Sequence, residues 1–335
     1  MREYENNLFN NIRKSTDEIE FTLYQPRPWF KKTNKLRIFL QYLIQLIFKR
    51  NFKLYHFLDH SLLFVSPFLI NKKILTTVHD LIPIVNAKKI KQKKSLFYNN
   101  FNFFLKRNSN LIARSKSTKK DLINYSNFNS KNIEVIYNGL SKIYKKINKK
   151  EIKKKYSFFL NTKKVIVFLN PFYKNNLFSL KVIKKYEEVY KENLDLICIG
   201  NRYNLFNETL RNFNLKSKVL FFKNLSNIKI NELYNLSDCL LFPSINEGFG
   251  APPIEAMKTG LPVMCSKIDI FSETIGWAYP LFKININSFT KNLRLILHNT
   301  KTKKKMIALG YKISQKYTME VQINKHLELY KKLVK

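Results

Sequence analysis

Short apolar runs alternate with helical patterns along most of the chain. The runs are too short for ordinary helices and are bounded by turn-forming residues, which is typical of buried strands. Strands are predicted at KLYHFLDHS, KILTTVHDLIPI, NLIARS, IEVIYNGL, KVIVFLN, LDLICIG, KVLFFKN, CLLFPS and PVMCS. This alternation predicts parallel sheets covered by helices on both faces.

Apolar residues recur at helical spacing between several of these strands. Helices are predicted at residues 36–50, at SLFYNNFNFFLKRNS, STKKDLINYS, LFSLKVIKKYEEVYKE and INELYNLS, and at residues 316–335. Residues 8–23 predict a helix followed by a short strand.

The strand pattern runs once before about residue 138 and restarts after about residue 155, with a lysine-rich stretch between. We therefore predict an α/β fold with two Rossmann-like, doubly wound parallel-sheet domains that face each other across a cleft. The N-terminal domain is expected at residues 1–140 and the C-terminal domain at 141–316, with a helix at 317–335 packing back toward the first. Ligands of such sheets bind beyond the carboxyl ends of the strands, where His79, Asp80, Asn170, Gly200 and Glu247 occur.

Composition limits the class of protein. The chain has 335 residues, 45% of them hydrophobic, and a formal net charge of +38. The many Lys, Asn, Ile, Phe and Tyr residues are typical of an AT-rich genome. The positive charge therefore reflects either codon bias, which places lysines on solvent-exposed faces, or a function that requires attraction to phosphates. The phosphates could belong to a sugar nucleotide, a lipid head group or nucleic acid. The lysines are scattered along the chain rather than clustered, which disfavours nucleic acid as a partner.

Cysteine, histidine and apolar spacing exclude several further classes. The three cysteines lie in apolar runs without CxxC spacing, as in a reduced cytoplasmic protein, and are Cys198, Cys239 and Cys265. The five histidines lack metal-ligand spacing, and no apolar run reaches the roughly 18 residues of a spanning helix. We expect no metal, and the first residues lack the apolar core of a signal peptide.

The stretch NEGFGAPPIEAMKTGLP places two glutamates, Glu247 and Glu255, around a rigid turn. Gly248 and Gly250 allow a ligand to approach the backbone, and the following Pro-Pro favours entry into a helix. Free amides at that helix start favour an anion such as a diphosphate. The alternative is a helix-start turn with a capping acid, which would stabilise the helix by at most about 1 kcal/mol.

The whole string resembles the signature of the retaining family 4 glycosyltransferases, also called glycosyl transferases group 1, which have the GT-B fold. The segments EGFG, IEAM and GLPV stand in register with that signature, and TTVHDLIPI, SKSTKKDLI, VIYNGL, LICIGN, LYNLSDCLLFPS and SKIDIFSETIG also resemble family segments. The resemblance covers roughly residues 54–335.

The resemblance implies transfer of a sugar from a UDP- or GDP-linked donor, without a metal, to a glycan or lipid-linked acceptor in cell-surface polysaccharide synthesis. It implies that Glu247 faces the donor sugar, Glu255 binds the ribose, and His79 lies near the site of transfer. The remaining donor-binding candidates are Gly248, Phe249, Gly250, Asn170, Gly200, Arg202 and Leu225. The alternative is a nucleotide-sugar-binding relative that has lost catalysis; the oligomeric state is not predicted.

The chain departs from the family in two places. The family usually carries a basic pair that neutralises the leaving diphosphate. In NPFYKNNL, Lys174 stands at the first basic position and Asn175 at the second, so Lys174 is the catalytic cation candidate and Arg202 its helper. The family also opens on a strand and a glycine-rich loop, whereas no glycine precedes Gly139, so we expect either that the true start lies upstream or that the first strand and its loop are missing.

YHFLDHS contains a His-x-x-Asp-His string, His56, Asp59 and His60, which would suit either a metal or a loop. We favour a strand-to-loop element that, with Asp80, lines the acceptor cleft. The helix at 36–50 has basic flanks and is expected either in the core or, for a lipid-linked acceptor, on the anionic inner face of the plasma membrane.

Overall fold

The computed structural model describes residues 2–22, 52–69, 71–82, 84–85, 101–108, 110–126, 128–148, 152, 156, 162–170 and 173–335. The chain forms two compact units, one of residues 1–138 with 319–335 and one of residues 139–318. The helix predicted at residues 36–50 lies outside the described residues.

Helices and parallel strands alternate along both units. In chain order they are α1 Arg2–Lys14, β1 Leu54–Phe57, a 3-10 helix His60–Phe68, β2 Lys73–Val78, α2 Phe101–Leu105, β3 Asn110–Ala113, α3 Lys116–Ser126, a 3-10 turn Ser130–Asn132, β4 Ile133–Val135, β5 Lys163–Phe168, α4 Asn176–Tyr190, β6 Leu194–Ile199, α5 Asn204–Phe213, β7 Lys218–Phe222, α6 Asn227–Leu236, β8 Cys239–Phe242, α7 Ala251–Thr259, β9 Val263–Ser266, α8 Asp269–Thr274, β10 Leu281–Phe282, α9 Ile286–His298, α10 Thr300–Ser314 and α11 Met319–Val334.

The first unit contains a parallel sheet in the order β1-β2-β3-β4. Val78 and Leu111 belong to one apolar cluster, whereas Leu75 and Ile112 belong to another. The side chains of a strand alternate between the two faces of a sheet, so both faces of this sheet are covered. Helices α1 and α11 belong to the second cluster.

The short strand predicted at the end of residues 8–23 is wrong, because residues 15–22 form bends and irregular backbone after α1. Ile19 and Phe21, in this stretch, pack against the cluster that contains Leu8, Ile12 and Ile323. These two side chains are partly buried by packing against this cluster, and their backbone is not paired with a strand.

The second unit contains a parallel sheet in the order β10-β9-β8-β5-β6-β7. Read from β7, this is the strand order 3-2-1-4-5-6 of a Rossmann-type sheet, with the order reversing between β5 and β8. Every residue of β6, β8 and β9 is buried. The predicted parallel-sheet α/β class is thus confirmed for each unit, and the second sheet has the reversal of strand order that defines a doubly wound fold. Polar residues at the carboxyl ends of β5 and β8 lie next to this reversal.

In the part of the chain that the structure describes, no helix combines the length and apolar character required to cross a bilayer.

Candidate active site

The loop from Pro243 to Gly250 connects buried strand β8 to α7 and carries Glu247. Gly250 has φ 78° at the residue before α7, and a Cβ added there would lie 2.6 Å from a ring carbon of Phe271. Only glycine fits both this backbone and this close contact. Pro252 and Pro253 follow in the first turn, and Gly260 ends the helix at φ 82°. The predicted strand–turn–helix is present.

Glu247 is 9% exposed and accepts two strong hydrogen bonds on one carboxylate oxygen. The ammonium of Lys174 lies 2.6 Å from Oε1, and the hydroxyl of Ser244 donates to the same oxygen over 2.7 Å. Ser244 is fully buried, and its carbonyl accepts from the hydroxyl of Ser266 at the end of β9. The acid is therefore connected through two hydroxyls to the neighbouring strand.

Lys174 comes from the loop between β5 and α4. This loop and the Glu247 loop are joined by a hydrogen bond of 2.9 Å from the amide of Ile245 to the carbonyl of Tyr173. The ammonium of Lys174 also lies 4.2 Å above the centre of the Phe242 ring and 5.1 Å from that of Tyr173. Asn175 has φ 53°, a left-handed conformation that asparagine tolerates better than lysine, at the start of α4.

Glu255 lies inside α7, half-buried, with its Oε2 accepting from the Tyr234 hydroxyl over 3.3 Å. Burial raises the pKa of Glu255 to about 7, although hydrogen bonds from Tyr234 and Tyr144 and the charge of Lys174 act in the opposite direction. Neither tyrosine was predicted from the sequence. Tyr144 lies in the lysine-rich stretch between the two strand patterns, and its hydroxyl, which has a single proton to donate, also lies 3.1 Å from Oδ1 of Asn227.

Asn170, directly beyond β5, is fixed by the buried side chain of Asn176. The Asn176 amide group donates to the carbonyl of Phe168 over 2.7 Å and accepts from the amide of Asn170 over 2.8 Å. It also accepts from the Tyr203 hydroxyl over 3.3 Å. This side chain ties the end of β5 to the start of α4, which positions the loop that carries Lys174.

An open groove of about 670 Å³ lies beyond the carboxyl ends of β6 and β7. The guanidinium of Arg202 stacks 4.6 Å from the centre of the Phe221 ring there, and Lys223 adds a second cation. The full lining is Gly200, Asn201, Arg202, Asn207, Phe221, Phe222 and Lys223. Leu225, the predicted contact just beyond β7, is half-buried and is not part of this lining.

Gly248 and Phe249 differ in exposure. Gly248 is partly exposed, whereas Phe249 is 4% exposed and packs edge-on against Tyr317 at 5.2 Å. The side chain of Phe249 therefore stabilises the loop, and only its backbone suits the predicted ligand contact.

His79 follows β2 in the first unit and is neutral at ordinary pH. Burial and the charge of Arg114 lower the pKa of His79 to about 4, against the opposing charge of Asp59. Its Nε2 lies 2.9 Å from the carbonyl oxygen of Leu58, and a carbonyl only accepts, so Nε2 carries the proton. The other ring nitrogen, Nδ1, is thus a hydrogen-bond acceptor.

Asp59 lies 3.9 Å from Nε2 of His79 and caps the 3-10 helix by accepting from the amide of Ser61 over 2.6 Å. Burial acts to raise the pKa of Asp59, but the charge of His60 and the hydrogen bonds of Ser61 outweigh it, so the pKa is lowered. Asp80 similarly accepts from the amide of Ile82 over 3.0 Å.

His56 and His60 lie in different environments. His56 bonds the Tyr330 hydroxyl through Nδ1 at 2.6 Å and Thr77 through Nε2 at 2.9 Å, so both ring nitrogens are occupied within the unit. His60 packs edge-on against Phe101. The two hydrogen bonds of His56 suit it better for holding α11 to β1 and β2 than for contacting an acceptor.

The structure therefore brings Glu247 and Lys174 into direct contact and places Glu255 within the electrostatic reach of Lys174. The candidates of the first unit gather at the carboxyl end of their own sheet, around His79. No group of three or more acidic, histidine or cysteine side chains suited to a metal occurs among the described residues.

Two families match this chain in succession. Residues 8–142 match the family described as Glycosyltransferase Family 4, and residues 148–313 match Glycosyl transferases group 1. The O-antigen chain mannosyltransferase RfbU of Salmonella typhimurium is 32% identical over 219 residues, which are 61% of this chain and 59% of RfbU. The serotype-specific mannosyltransferase WbdA of Escherichia coli is 26% identical over 63% of this chain and 27% of WbdA. The chain thus spans less than two thirds of either relative.

Solved structures share the fold at low sequence identity. WaaG, a glycosyltransferase involved in lipopolysaccharide biosynthesis, has a TM-score of 0.70 at 13% identity and covers 98% of this chain and 95% of its own. HepE of Anabaena, in complex with UDP and glucose, has a TM-score of 0.73 at 17% identity, over 88% of this chain and 82% of its own. Two parallel-sheet units, the loop of Glu247 and both family matches lead to one conclusion: the chain belongs to the family 4 glycosyltransferases of the GT-B fold.

Proposed function

We propose that the protein is a retaining glycosyltransferase that moves a hexose from a nucleotide-sugar donor to a glycan or lipid-linked acceptor in cell-surface polysaccharide synthesis. The observation that carries the proposal is the buried Glu247 beside Lys174, on a glycine-shaped loop beyond β8. The names of RfbU and WbdA, both mannosyltransferases, support a hexose as the transferred group.

The donor extends along the carboxyl edge of the second sheet. The nucleoside takes the groove beside Arg202 and Phe221, Glu255 accepts hydrogen bonds from the ribose, and Lys174 meets the diphosphate. The amides at the start of α7 favour the same negative charge. A UDP- or GDP-linked donor fits this account, and the complex of HepE with UDP and glucose supports a donor of this kind.

Bond breaking at the anomeric carbon leaves positive charge on the sugar and negative charge on the departing diphosphate. Lys174 and the amides at the start of α7 stabilise that negative charge. Glu247 orients the sugar and stabilises the positive charge. In a front-face reaction the departing phosphate oxygen takes the proton of the acceptor hydroxyl, so the new bond keeps the configuration of the old one. This route needs no metal and no covalent intermediate.

The acceptor meets the first unit near His79. Its neutral imidazole presents Nδ1 as an acceptor, which suits a sugar hydroxyl better than a phosphate. A lipid-linked acceptor would place the protein at the inner face of the plasma membrane, and the net charge of +38 favours such an anionic surface.

A second candidate function is binding of a nucleotide sugar without turnover. Two observations favour it: Asn175 stands where the family carries a second cation, and Lys174 is already paired with Glu247.

The test is a transfer assay with UDP- and GDP-linked sugars and membrane extract. We expect one donor to label the extract, and Glu247→Ala to abolish the label, while Glu188→Gln on the exposed face of α4 leaves it unchanged. Donor binding without label in the unmodified protein would favour the second candidate instead.

A further inference from the structure

We infer that Lys174 and Glu247 form a latch that the donor diphosphate opens: without a donor each occupies the other, and the diphosphate takes Lys174 and releases Glu247 to the sugar. The inference rests on the proposed function, since it assigns a donor to this site. It gives Lys174 a second partner, a carboxylate that competes with the substrate.

The contacts show a pair that is closed. The Lys174 ammonium lies 2.6 Å from Glu247 Oε1, and the two side chains are 11% and 7% exposed. Charges with so little contact with water have lost most of their hydration, so neither leaves the pair unless another charge takes its place. The cation expected for the diphosphate is thus already engaged.

Each partner also has a second contact, which lowers the cost of separation. The Lys174 ammonium lies above the rings of Phe242 and Tyr173, which stabilise a cation after its carboxylate leaves. Glu247 keeps the hydroxyl of Ser244, which donates over 2.7 Å to the oxygen that Lys174 now contacts. These second contacts remain in place when the pair separates, so neither charge is left without a partner.

Charge decides the direction of the exchange. A diphosphate carries more negative charge than one carboxylate and offers several oxygens to one ammonium. The loop of Lys174 also runs directly into α4, whose positive end favours the same anion. Donor binding therefore couples two events, in which the diphosphate gains a cation and Glu247 becomes available to the sugar.

Isothermal titration with UDP, GDP and inorganic pyrophosphate measures the competition. We expect Glu247→Gln to tighten the binding of whichever nucleoside diphosphate binds by about tenfold, because its Lys174 no longer has to leave a carboxylate. In a Lys174→Met background, the same glutamate change should alter affinity by less than about twofold. Uridine and guanosine, which lack the diphosphate, should bind all variants equally.

Matched controls are available on α4, where Lys181 and Glu188 are exposed. Lys181→Met and Glu188→Gln should leave affinity unchanged. If Glu247→Gln melts too early for titration, Glu247→Asp keeps the charge but withdraws it from Lys174, and should tighten binding in the same way.

The outcomes separate the latch from the proposed function. If nucleoside diphosphates bind but Glu247→Gln does not tighten them, the latch is wrong. If it tightens them equally with and without Lys174, the effect is general repulsion by the carboxylate, and the latch is again wrong. If no nucleoside diphosphate binds the unmodified protein, the proposed function itself fails.

Discussion

Glu255 shows how the environment of one residue sets its chemistry. Glu255 belongs to α7, and its carboxyl group lies beside the hydroxyl of Tyr234. Burial is the main reason that its pKa is raised to about 7. The groups that face it are Tyr234 from α6, Tyr144 from the stretch after β4, Lys174 from the loop before α4, and Lys258 from its own helix. A ribose hydroxyl would supply a further donor to the ionised form.

The raised pKa of Glu255 predicts a pH-dependent stability. Because the folded-state pKa of about 7 exceeds the ordinary 4.5, folding favours the neutral acid. Its stabilisation is complete below about pH 4.5 and is lost as pH rises through about 7. We expect Glu255→Gln to gain stability relative to the unmodified protein between pH 5 and 8, by on the order of 1 to 3 kcal/mol, measured by thermal melting.

The matched control is Glu188→Gln, an exposed acid on α4. Its melting temperature should follow that of the unmodified protein across the same pH range. A constant difference between Glu255→Gln and the unmodified protein from pH 5 to 8 would contradict the assigned environment of Glu255.

Sequence reasoning identified Glu247 and Lys174 separately but not their contact. They are 73 positions apart, and no spacing rule predicts a bond between loops that follow different strands. Asn175 was interpreted as a lost cation. The structure adds a backbone reason for asparagine there, since its φ is 53°.

At the scale of secondary-structure elements, the site is formed by the carboxyl ends of strands in the second sheet and by the first turns of the helices that follow them. β5, β6 and β8 are followed by Asn170, Gly200 and the loop of Glu247, as the sequence predicted, because buried apolar runs mark such strands clearly. Helices α5, α8, α9 and α10 and strand β10 were not predicted. β10 is only two residues long, and α8 only six, so neither leaves a periodic pattern.

The conformation of Gly200 predicts that a side chain at this position would destabilise the end of β6. Its φ is 130°, and an added Cβ would lie 2.8 Å from the carbonyl oxygen of Leu169. Gly276, with φ 84°, has no atom within 4 Å of an added Cβ and is the matched control. We expect Gly200→Ala to destabilise the protein by about 1 to 3 kcal/mol more than Gly276→Ala in a chemical denaturation experiment.

Gly200 also lines the groove beside Arg202, so the same variant should weaken nucleoside binding. Equal unfolding free energies for the two alanine variants would mean that Leu169 moves away at little cost.

At the scale of the whole molecule, the two-sheet architecture follows from the alternation of apolar runs and helices, which the sequence displays directly. The polar contacts behind the site do not follow from it. Tyr144 and Tyr234 reach Glu255 from distant parts of the chain, and His56 is bonded by Tyr330 across 274 positions. Such contacts depend on how elements pack, which the local pattern leaves undetermined.

The net charge of +38 belongs to the same scale. Among the described residues, Lys174, Arg202, Lys223 and Lys258 are cations near the candidate site. The other basic residues are scattered along the sequence, as an AT-rich genome or an anionic membrane would favour.

The central claim is that Glu247 and its neighbours transfer a sugar with retention of configuration. The most direct test is the NMR spectrum of the newly transferred sugar, in which the one-bond carbon–hydrogen coupling at the anomeric carbon reports the configuration. The account predicts that the unmodified protein and Glu188→Gln form a product with the anomeric configuration of the donor. Glu247→Gln should form no such product. An inverted product, or an unchanged product yield with Glu247→Gln, would contradict it.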